Sequence, residues 1–160
     1  MSDQNGNMKT IELHENGLDI QFRIRENGVV ELADFSSQEV KKAAMEPKED
    51  IYYPAVEIHR SGTGSLNMHA YKNNINQSSV DFVYENHELK AQAGGKELEI
   101  VMVSPEKLKA VYHMRLFDGV PAVQTWTEIT NEGSEDQGLT YVSSFIYQGI
   151  SRGGNKPYYK

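Results

Sequence analysis

The sequence predicts an all-β fold, a sandwich of two antiparallel sheets with little helix. Much of the chain consists of short runs in which apolar and polar residues alternate, the pattern of half-buried strands. Turn residues separate these runs, and the pairs Asn16-Gly17 and Asn27-Gly28 are strong hairpin signals. No convincing helical pattern is longer than two turns. About ten short strands with frequent turns are typical of a two-sheet sandwich.

The N-terminal part of the domain is predicted to form a three-stranded antiparallel meander. Its second strand places Leu18, Ile20 and Phe22 on one face, with polar residues between them. Its strands and turns are, in order, residues 9–14, Asn16-Gly17, residues 18–25, Asn27-Gly28 and residues 29–32.

The acidic side chains on the polar faces of the first strands have a simple interpretation. Glu12, Asp19, Glu31 and Glu57 each lie opposite the apolar face of their strand. A carboxylate is rarely buried unless it is paired, so we expect all four to be solvated.

The middle of the chain is predicted to be less regular. Pro47 limits the charged stretch before it to one or two helical turns at most, so that stretch is interpreted as a surface loop. The predicted segments are a loop at 36–50, a strand at 52–59, a flexible turn at 61–65, a weak strand at 66–72, a polar loop at 72–79 and an extended segment at 79–84.

The C-terminal half is predicted to consist of long strands joined by short turns. Gly94-Gly95 and Asp118-Gly119 mark two of those turns, and Ser104-Pro105 interrupts the chain between them. The predicted strands are residues 88–93, 96–103, 108–117, 122–130 and 139–150. We therefore expect a disordered N-terminus at 1–8, a single sandwich domain over 9–150, and a tail or truncated continuation at 151–160.

Composition restricts the partners that this domain is expected to have. The formal net charge is -7, and the 16 basic residues are spread along the chain. Nucleic acids and anionic membranes require a concentrated basic face, so neither is an expected partner. The chain has no cysteine, no long apolar run and no secretory signal, which favours a cytoplasmic location.

The sequence shows no catalytic or metal-binding signature. The five histidines form no His-x-His or His-Glu-x-x-His pair, and no pair of carboxylates has a local signature. The glycine-rich turn at 61–65 lacks the Gly-Lys ending of a phosphate-binding loop. We therefore predict no catalytic residue, no metal ligand and no cofactor, although a metal site assembled from distant strands stays open as an alternative.

The only tryptophan and two polar neighbours form the one candidate surface for a carbohydrate or a partner domain, namely Trp126, Gln124 and Glu128. In strand 122–130, Val123 and Ile129 share one face, whereas Gln124, Trp126 and Glu128 share the other. An aromatic ring between two polar residues on an outward face can stack on a sugar or on a partner domain. The alternative interpretation is that Trp126 is buried against a neighbouring loop or, if the face assignment is inverted, in the core.

Four segments, taken in order, resemble the N-terminal domain of glycoside hydrolase family 36 α-galactosidases. Residues 51–58 are similar to a strand that precedes a glycine-containing turn, and residues 108–117 to a long strand that ends in an acidic turn. Residues 121–133 are similar to the strand that closes in Asn-x-Gly, and residues 139–147 to the strand that follows it. The chain departs from the family at 124–126, the region where the family usually has an arginine.

The resemblance implies a supersandwich of the galactose-mutarotase-like type and a parent enzyme that removes terminal α-galactose with retention of configuration. In that family two aspartates on a following (β/α)₈ barrel perform the reaction, and neither aspartate motif has a matching position in this chain. The domain would pack on the catalytic barrel of the same parent chain, shape the rim of its pocket and support contacts in a homo-oligomer. Sugars with α-galactoside linkages would be ligands of the whole protein.

Three functions are therefore compatible with the sequence. The first is a non-catalytic sandwich domain of an α-galactosidase-like hydrolase, which makes the chain a natural or engineered fragment. The second is a stand-alone carbohydrate-binding sandwich that uses Trp126 and the tyrosines. The third is a mutarotase-like epimerase, which needs a histidine and a carboxylate that converge across the sandwich.

Overall fold

The computed structural model describes residues 8–37, 52–64, 68–69, 72–73 and 76–147. Antiparallel strands dominate these ranges, and one short helix interrupts them. The strands are β1 Lys9–Glu15, β2 Leu18–Ile24, β3 Val30–Ser37, β4 Ile58–Arg60, β5 Met68–His69, β6 Lys72–Asn73, β7 Val83–Gln92, β8 Gly95–Val103, β9 Leu108–Phe117, β10 Val120–Asn131 and β11 Leu139–Val142, and the helix is α1 Gln77–Asp81.

Two sheets form the body of the protein. The first has the strand order β1-β2-β3 and the second the order β10-β9-β8-β7. Their apolar faces share one core, in which Phe22 of β2 packs edge-on against Tyr112 of β9 with ring centroids 5.8 Å apart. The predicted all-β, antiparallel sandwich is therefore confirmed.

Alternation along the central strands supplies this core. On β8, Leu98, Ile100 and Met102 are buried, and each faces an apolar partner across the ladder to β9. Burying one such side chain completely is worth about 1.5–3 kcal/mol, so these pairs contribute substantially to the stability of the core. Two smaller ladders, β11-β4 and β5-β6, complete the strand pairing in the described residues.

The first Asn-Gly pair forms the predicted hairpin and also joins the two sheets. Asn16 and Gly17 adopt φ angles of 52° and 85°, which the turn between β1 and β2 requires. The side chain of Asn16 reaches the turn between β9 and β10, where Nδ2 donates to the carbonyl of Phe117 at 2.9 Å. Its Oδ1 accepts from the amide of Gly119 at 3.0 Å. One amide thus holds two hairpin turns together at one end of the sandwich.

The second Asn-Gly pair joins the sheets at the opposite end of β2. Gly28 has a φ of 86°, and its carbonyl accepts from the amide of Tyr84 at 2.8 Å. A Cβ at position 28 would lie 2.9 Å from Cβ of Val83, closer than van der Waals contact permits. Val29 and Val83 form an isolated β-bridge beside it. Glycine is required at position 28 because β7, the strand that begins at Val83, crosses directly over this turn.

The expectation that Glu31 is solvated was wrong, because Glu31 is completely buried. Its Oε2 accepts from Nε and Nη2 of Arg23, at 3.0 and 2.6 Å, and its Oε1 accepts from Nη1 of Arg25 at 3.0 Å. The amide of Tyr53 also donates to Oε1 at 2.9 Å. The segment around Tyr53, which follows the gap in the described residues, therefore covers the polar face of β2 and β3. The carboxylate is paired rather than hydrated.

The predicted strand at 52–59 is largely replaced by bends. Only Pro54, which forms a bridge with Glu31, and β4 at Ile58–Arg60 pair as strands in this segment. The amide of Tyr53 is used by the buried carboxylate and Pro54 has no amide, so a continuous ladder cannot form.

The prediction of an extended segment at 79–84 was wrong for the first half of that segment. Asn76 caps a single helical turn, α1, by accepting from the amide of Ser78 at 3.0 Å, and β7 begins only at Val83. Both serine hydroxyls of the turn, those of Ser78 and Ser79, donate to the carbonyl of Ile58, at 2.5 and 3.1 Å. The helix thus pairs with β4 through side chains, a contact that no local pattern encodes.

The last strand is shorter than predicted, since β11 ends at Val142 instead of continuing to 150. Ser143 is buried, and its backbone and hydroxyl exchange hydrogen bonds with the backbone of Glu57 at 2.9 and 2.8 Å. Its carbonyl accepts from the hydroxyl of Thr127 at 2.9 Å. These hydrogen bonds to Glu57 and Thr127 replace strand pairing at Ser143, so the chain leaves the β11-β4 ladder at this residue. Residues 148–150 lie outside the described ranges.

Several sequence predictions fall on residues that the structure does not describe. These are the disordered N-terminus up to residue 7, most of the loop at 36–50, parts of segments 61–65, 66–72 and 72–79, and the tail at 151–160. Within the described ranges, no helix combines the length and the apolar character that crossing a bilayer requires.

We predict that Glu31→Gln destabilises the fold by about 3–5 kcal/mol, because it removes the buried carboxylate that pairs with the guanidinium groups of Arg23 and Arg25. Urea denaturation followed by circular dichroism measures the change. Glu12→Gln is the matched control, since Glu12 is exposed and its hydrogen bond to Gln21 is at the surface, and it should cost less than about 1 kcal/mol. Equal stability of the two variants would contradict the assigned role of Glu31.

Candidate functional site

The outer face of the four-stranded sheet carries the richest set of polar side chains in the described structure. Glu99 of β8 pairs in register with His113 of β9, and His113 pairs with Trp126 of β10. Residues directly opposite one another in adjacent strands project from the same face, so these three side chains form one row across the sheet. The neighbouring residues of this face that take part are Lys90, Glu97, Gln124 and Glu128.

His113 lies at the centre of this row and is only 7% exposed. Its imidazole stacks flat on the indole of Trp126, with centroids 4.6 Å apart and planes 5° from parallel. Its Nδ1 lies 2.9 Å from Oε1 of Glu97 and 3.9 Å from Oε1 of Glu99. The imidazole of His113 thus lies between two carboxylates on one side and the indole ring of Trp126 on another.

The second imidazole nitrogen of His113 is less well satisfied. Nε2 is buried and has no hydrogen-bond partner among the described residues. The nearest carboxylate oxygen paired with it is Oε1 of Glu128, at 3.8 Å, which is beyond hydrogen-bond range. A buried polar atom without a partner costs free energy, so this nitrogen needs an explanation.

Lys90 provides a cation beside Glu99. Its Nζ lies 2.5 Å from Oε2 of Glu99 and 3.7 Å from Oε2 of Glu88. The hydrogen bond to Glu99 raises the pKa of Lys90 above its ordinary value, so the ammonium is retained at neutral pH. The ammonium offsets part of the negative charge of the carboxylate pair.

The three residues predicted as a binding surface all lie on the outer face of β10. Val123 and Ile129 pack against the core from the opposite face, in agreement with the predicted face assignment. Trp126 is half-buried against His113, while Gln124 and Glu128 are exposed. Binding of a sugar or a partner domain by these residues stays a prediction.

Sequence reasoning missed Glu97, Glu99 and His113 as a group. Their ligand-type atoms, one from each residue, all lie within 4.8 Å of one another. The available signal was Glu97-x-Glu99, two carboxylates spaced to share one face of a strand, in the strand before the one that contains His113. A search restricted to histidine pairs does not detect such a group, and only the β8-β9 register brings it together.

A separate open cavity of about 520 Å³ lies between the β8-β9 turn and the loop after β10. Asn131 organises that loop, because its Oδ1 accepts from the amide of Gly133 at 3.0 Å and its Nδ2 donates to the carbonyl of Glu135 at 2.9 Å. A Cβ at position 133 would lie 2.6 Å from the carbonyl oxygen of Glu106. In the sequence Asn131-Glu132-Gly133, hydrogen bonding therefore requires the asparagine and packing requires the glycine.

Two of the three acidic side chains that line this cavity, those of Glu106 and Glu132, are engaged in ion pairs, and the third is Glu135. Glu106 binds Nη1 of Arg60 at 2.6 Å, and Glu132 lies 3.6 Å from Nζ of Lys109. Partial burial opposes ionisation of Glu106, but hydrogen bonds from its own backbone, Ser104 and Arg60 together lower its pKa. An ionised carboxylate of this kind is a poor general acid at neutral pH.

The fold and the outer face together define an antiparallel β-sandwich with a histidine, carboxylate and tryptophan surface. No protein-family model and no curated protein matches the sequence. Among solved structures, the chain is similar to a variant of the GH36 α-galactosidase AgaA from Geobacillus stearothermophilus, determined in complex with raffinose. The similarity has a TM-score of 0.53 at 13% sequence identity and covers 82% of this chain but 23% of the AgaA chain. The fold is therefore GH36-like, as the resemblance implied.

Proposed function

We propose that this chain is a non-catalytic sandwich domain of a retaining α-galactosidase-like glycoside hydrolase. The observation that carries the proposal is the match of most of this chain to less than a quarter of an α-galactosidase. A segment of that size corresponds to one accessory domain of a larger enzyme. In this proposal the domain supports the catalytic barrel and the rim of its pocket and contributes contacts to a homo-oligomer.

The chemistry of the described residues supports a non-catalytic role. Retaining glycosidases need two carboxyl groups about 5–5.5 Å apart on either side of the scissile bond. Glu97 and Glu99 are held by His113 and Lys90 on the face of a sheet, and the open cavity is lined by other residues. The acids Glu106 and Glu132 beside the cavity are paired with cations.

A surface around β11 is suited to contact the rest of such an enzyme. Three of the seven large apolar residues that are exposed in the described ranges lie here, namely Leu139, Tyr141 and Phe145. Phe145 also packs edge-on against Phe35 of the three-stranded sheet, with centroids 5.5 Å apart. We call Leu139, Tyr141 and Phe145 the β11 surface, and we assign the catalytic barrel of the same parent chain as its partner.

The proposal is tested by an activity assay with a chromogenic α-galactoside. The 160-residue chain should show no turnover above background, whereas the product of the complete reading frame should hydrolyse the substrate with retention. Turnover by the 160-residue chain alone would contradict the proposal. A stop codon directly after Lys160 in the natural coding sequence would contradict it as well.

The β11 surface leads to a prediction about the isolated chain. Without the barrel, these apolar side chains should drive self-association, and Leu139→Ser together with Tyr141→Ser should shift the mass in sedimentation velocity towards the 18.1 kDa of the monomer. Leu89→Ser together with Val120→Ser is the matched control, since both residues lie on the four-stranded sheet and are exposed to a similar extent. The same shift with the control pair, or no shift with the first pair, would refute the assignment.

A stand-alone carbohydrate-binding module is the second candidate, and the stacking of Trp126 favours it. His113 stacks on one face of the indole and fixes its orientation, and exposed Gln124 and Glu128 flank it with groups that can hydrogen-bond to hydroxyls. A platform pre-organised in this way loses little entropy on binding a sugar ring.

If this candidate is correct, titration calorimetry with galactose, raffinose and a soluble β-glucan should detect binding of one of them. Trp126→Ala should weaken that binding at least about tenfold, because removing the ring removes the stacking surface. Tyr141→Ala, which removes an exposed aromatic ring elsewhere, is the matched control and should leave the affinity unchanged. Absence of binding to all three sugars would eliminate this candidate.

A further inference from the structure

We propose that Glu97, Glu99 and His113 form a binding site for one divalent transition-metal ion of the zinc type. The three residues offer two carboxylate oxygens and imidazole Nδ1, and these atoms lie within 4.8 Å of one another. Nitrogen and oxygen donors in this combination are common ligands of zinc in proteins. This inference goes beyond the proposed function, since it assigns a metal site to the outer face of the four-stranded sheet.

The spacing of the donor atoms matches what such an ion requires. Bond lengths of 2.0–2.2 Å and tetrahedral angles place neighbouring ligand atoms about 3.4 Å apart. The distances from Nδ1 of His113 to the nearest oxygens of Glu97 and Glu99, 2.9 and 3.9 Å, lie on either side of that value. Small side-chain rotations would therefore bring all three donors into a common coordination sphere.

The strands hold the donors in place before any ion binds. Glu97 and Glu99 are two residues apart on β8, and Glu99 is the direct partner of His113 on β9, so both carboxylates flank the imidazole. The side chains of Glu97, Glu99 and His113 are only 12%, 21% and 9% exposed. Partial burial reduces solvent screening and strengthens the attraction of two carboxylates for a dication.

The binding of an ion at Nδ1 would also explain the unsatisfied Nε2 of His113. A metal on Nδ1 requires the neutral tautomer with its proton on Nε2. Oε1 of Glu128 lies 3.8 Å from this nitrogen, and the exposed side chain of Glu128 can move closer to accept that proton. Carboxylate–histidine–metal arrangements of this kind are the usual support of a metal-binding imidazole.

Lys90 occupies the position of a competing cation in this site. Its ammonium neutralises Glu99, at 2.5 Å, when no metal is present. The ammonium contacts Oε2, whereas Oε1 is the oxygen beside His113, so Lys90 is expected to lower the metal affinity by repelling the dication and neutralising Glu99. An ion-pair network that binds no metal would show no such competition, and this difference makes the proposal testable.

The single tryptophan provides a direct readout of metal binding. The 160-residue chain is titrated with Ni²⁺ and Zn²⁺ while Trp126 fluorescence is followed, because the indole stacks on His113 at 4.6 Å and a bound paramagnetic ion quenches it. The expected result is one saturable site per chain, with Ni²⁺ quenching that excess Zn²⁺ reverses. Mg²⁺ and Ca²⁺, which prefer all-oxygen ligands, should fail to reverse the quenching.

Three variants test the assignment of the ligands. Glu97→Gln together with Glu99→Gln should weaken binding at least tenfold, with the fold checked by circular dichroism. The control is Glu12→Gln together with Asp19→Asn, which removes the carboxylates around the exposed His14 and should leave the affinity unchanged.

Lys90→Gln should strengthen Zn²⁺ binding severalfold, because the competing ammonium is gone. This variant keeps the test decisive even if the double glutamine variant fails to fold. Unchanged affinity in a folded Glu97→Gln, Glu99→Gln protein, loss of binding in the His14 control, or weaker binding in Lys90→Gln would each overturn the proposal.

Discussion

The register of the three strands β8, β9 and β10 is the constraint on which both the core and the outer face depend. On β9, Tyr112 and Met114 enter the core, and His113 between them faces outwards. A slip of one residue would exchange these faces, because side chains alternate along a strand. The burial of Tyr112 against Phe22 therefore also places His113 beside Glu99 and Trp126. The fold and the candidate site are two consequences of one alignment.

The two sheets are joined by a few specific polar contacts in addition to the shared core. Asn16 links two hairpin turns, and Gly28 admits the crossing of Val83. Glu31 attaches the segment at Tyr53 to the first sheet. The contacts of Asn16 and Gly28 lie at turns between strands, and that of Glu31 binds the amide of an irregular segment, which are places where a sandwich otherwise leaves polar groups unpaired.

The elements that the sequence could predict are those specified by local chemistry. Asn-Gly pairs select hairpin turns through their positive φ angles, and alternation identifies the strands, so the meander and the strands β8, β9 and β10 agree with expectation. The burial of Glu31, the helical turn at Ser78 and the exit of the chain at Ser143 depend on partners more than 15 residues away. No local pattern contains that information, because the same residues would be solvated or extended without those partners.

The candidate site shows the same division between what local patterns predict and what depends on distant partners. The outward placement of Trp126 follows from alternation within one strand, whereas the group of Glu97, Glu99 and His113 depends on pairing between strands.

The most direct test of the central claim, that this register builds a metal site, is a crystal structure grown with Zn²⁺, using diffraction data from both sides of the zinc absorption edge. The account predicts an anomalous peak about 2.0–2.2 Å from Nδ1 of His113 and from both carboxylates. A map without a peak there, or with a peak only at His14, would contradict it.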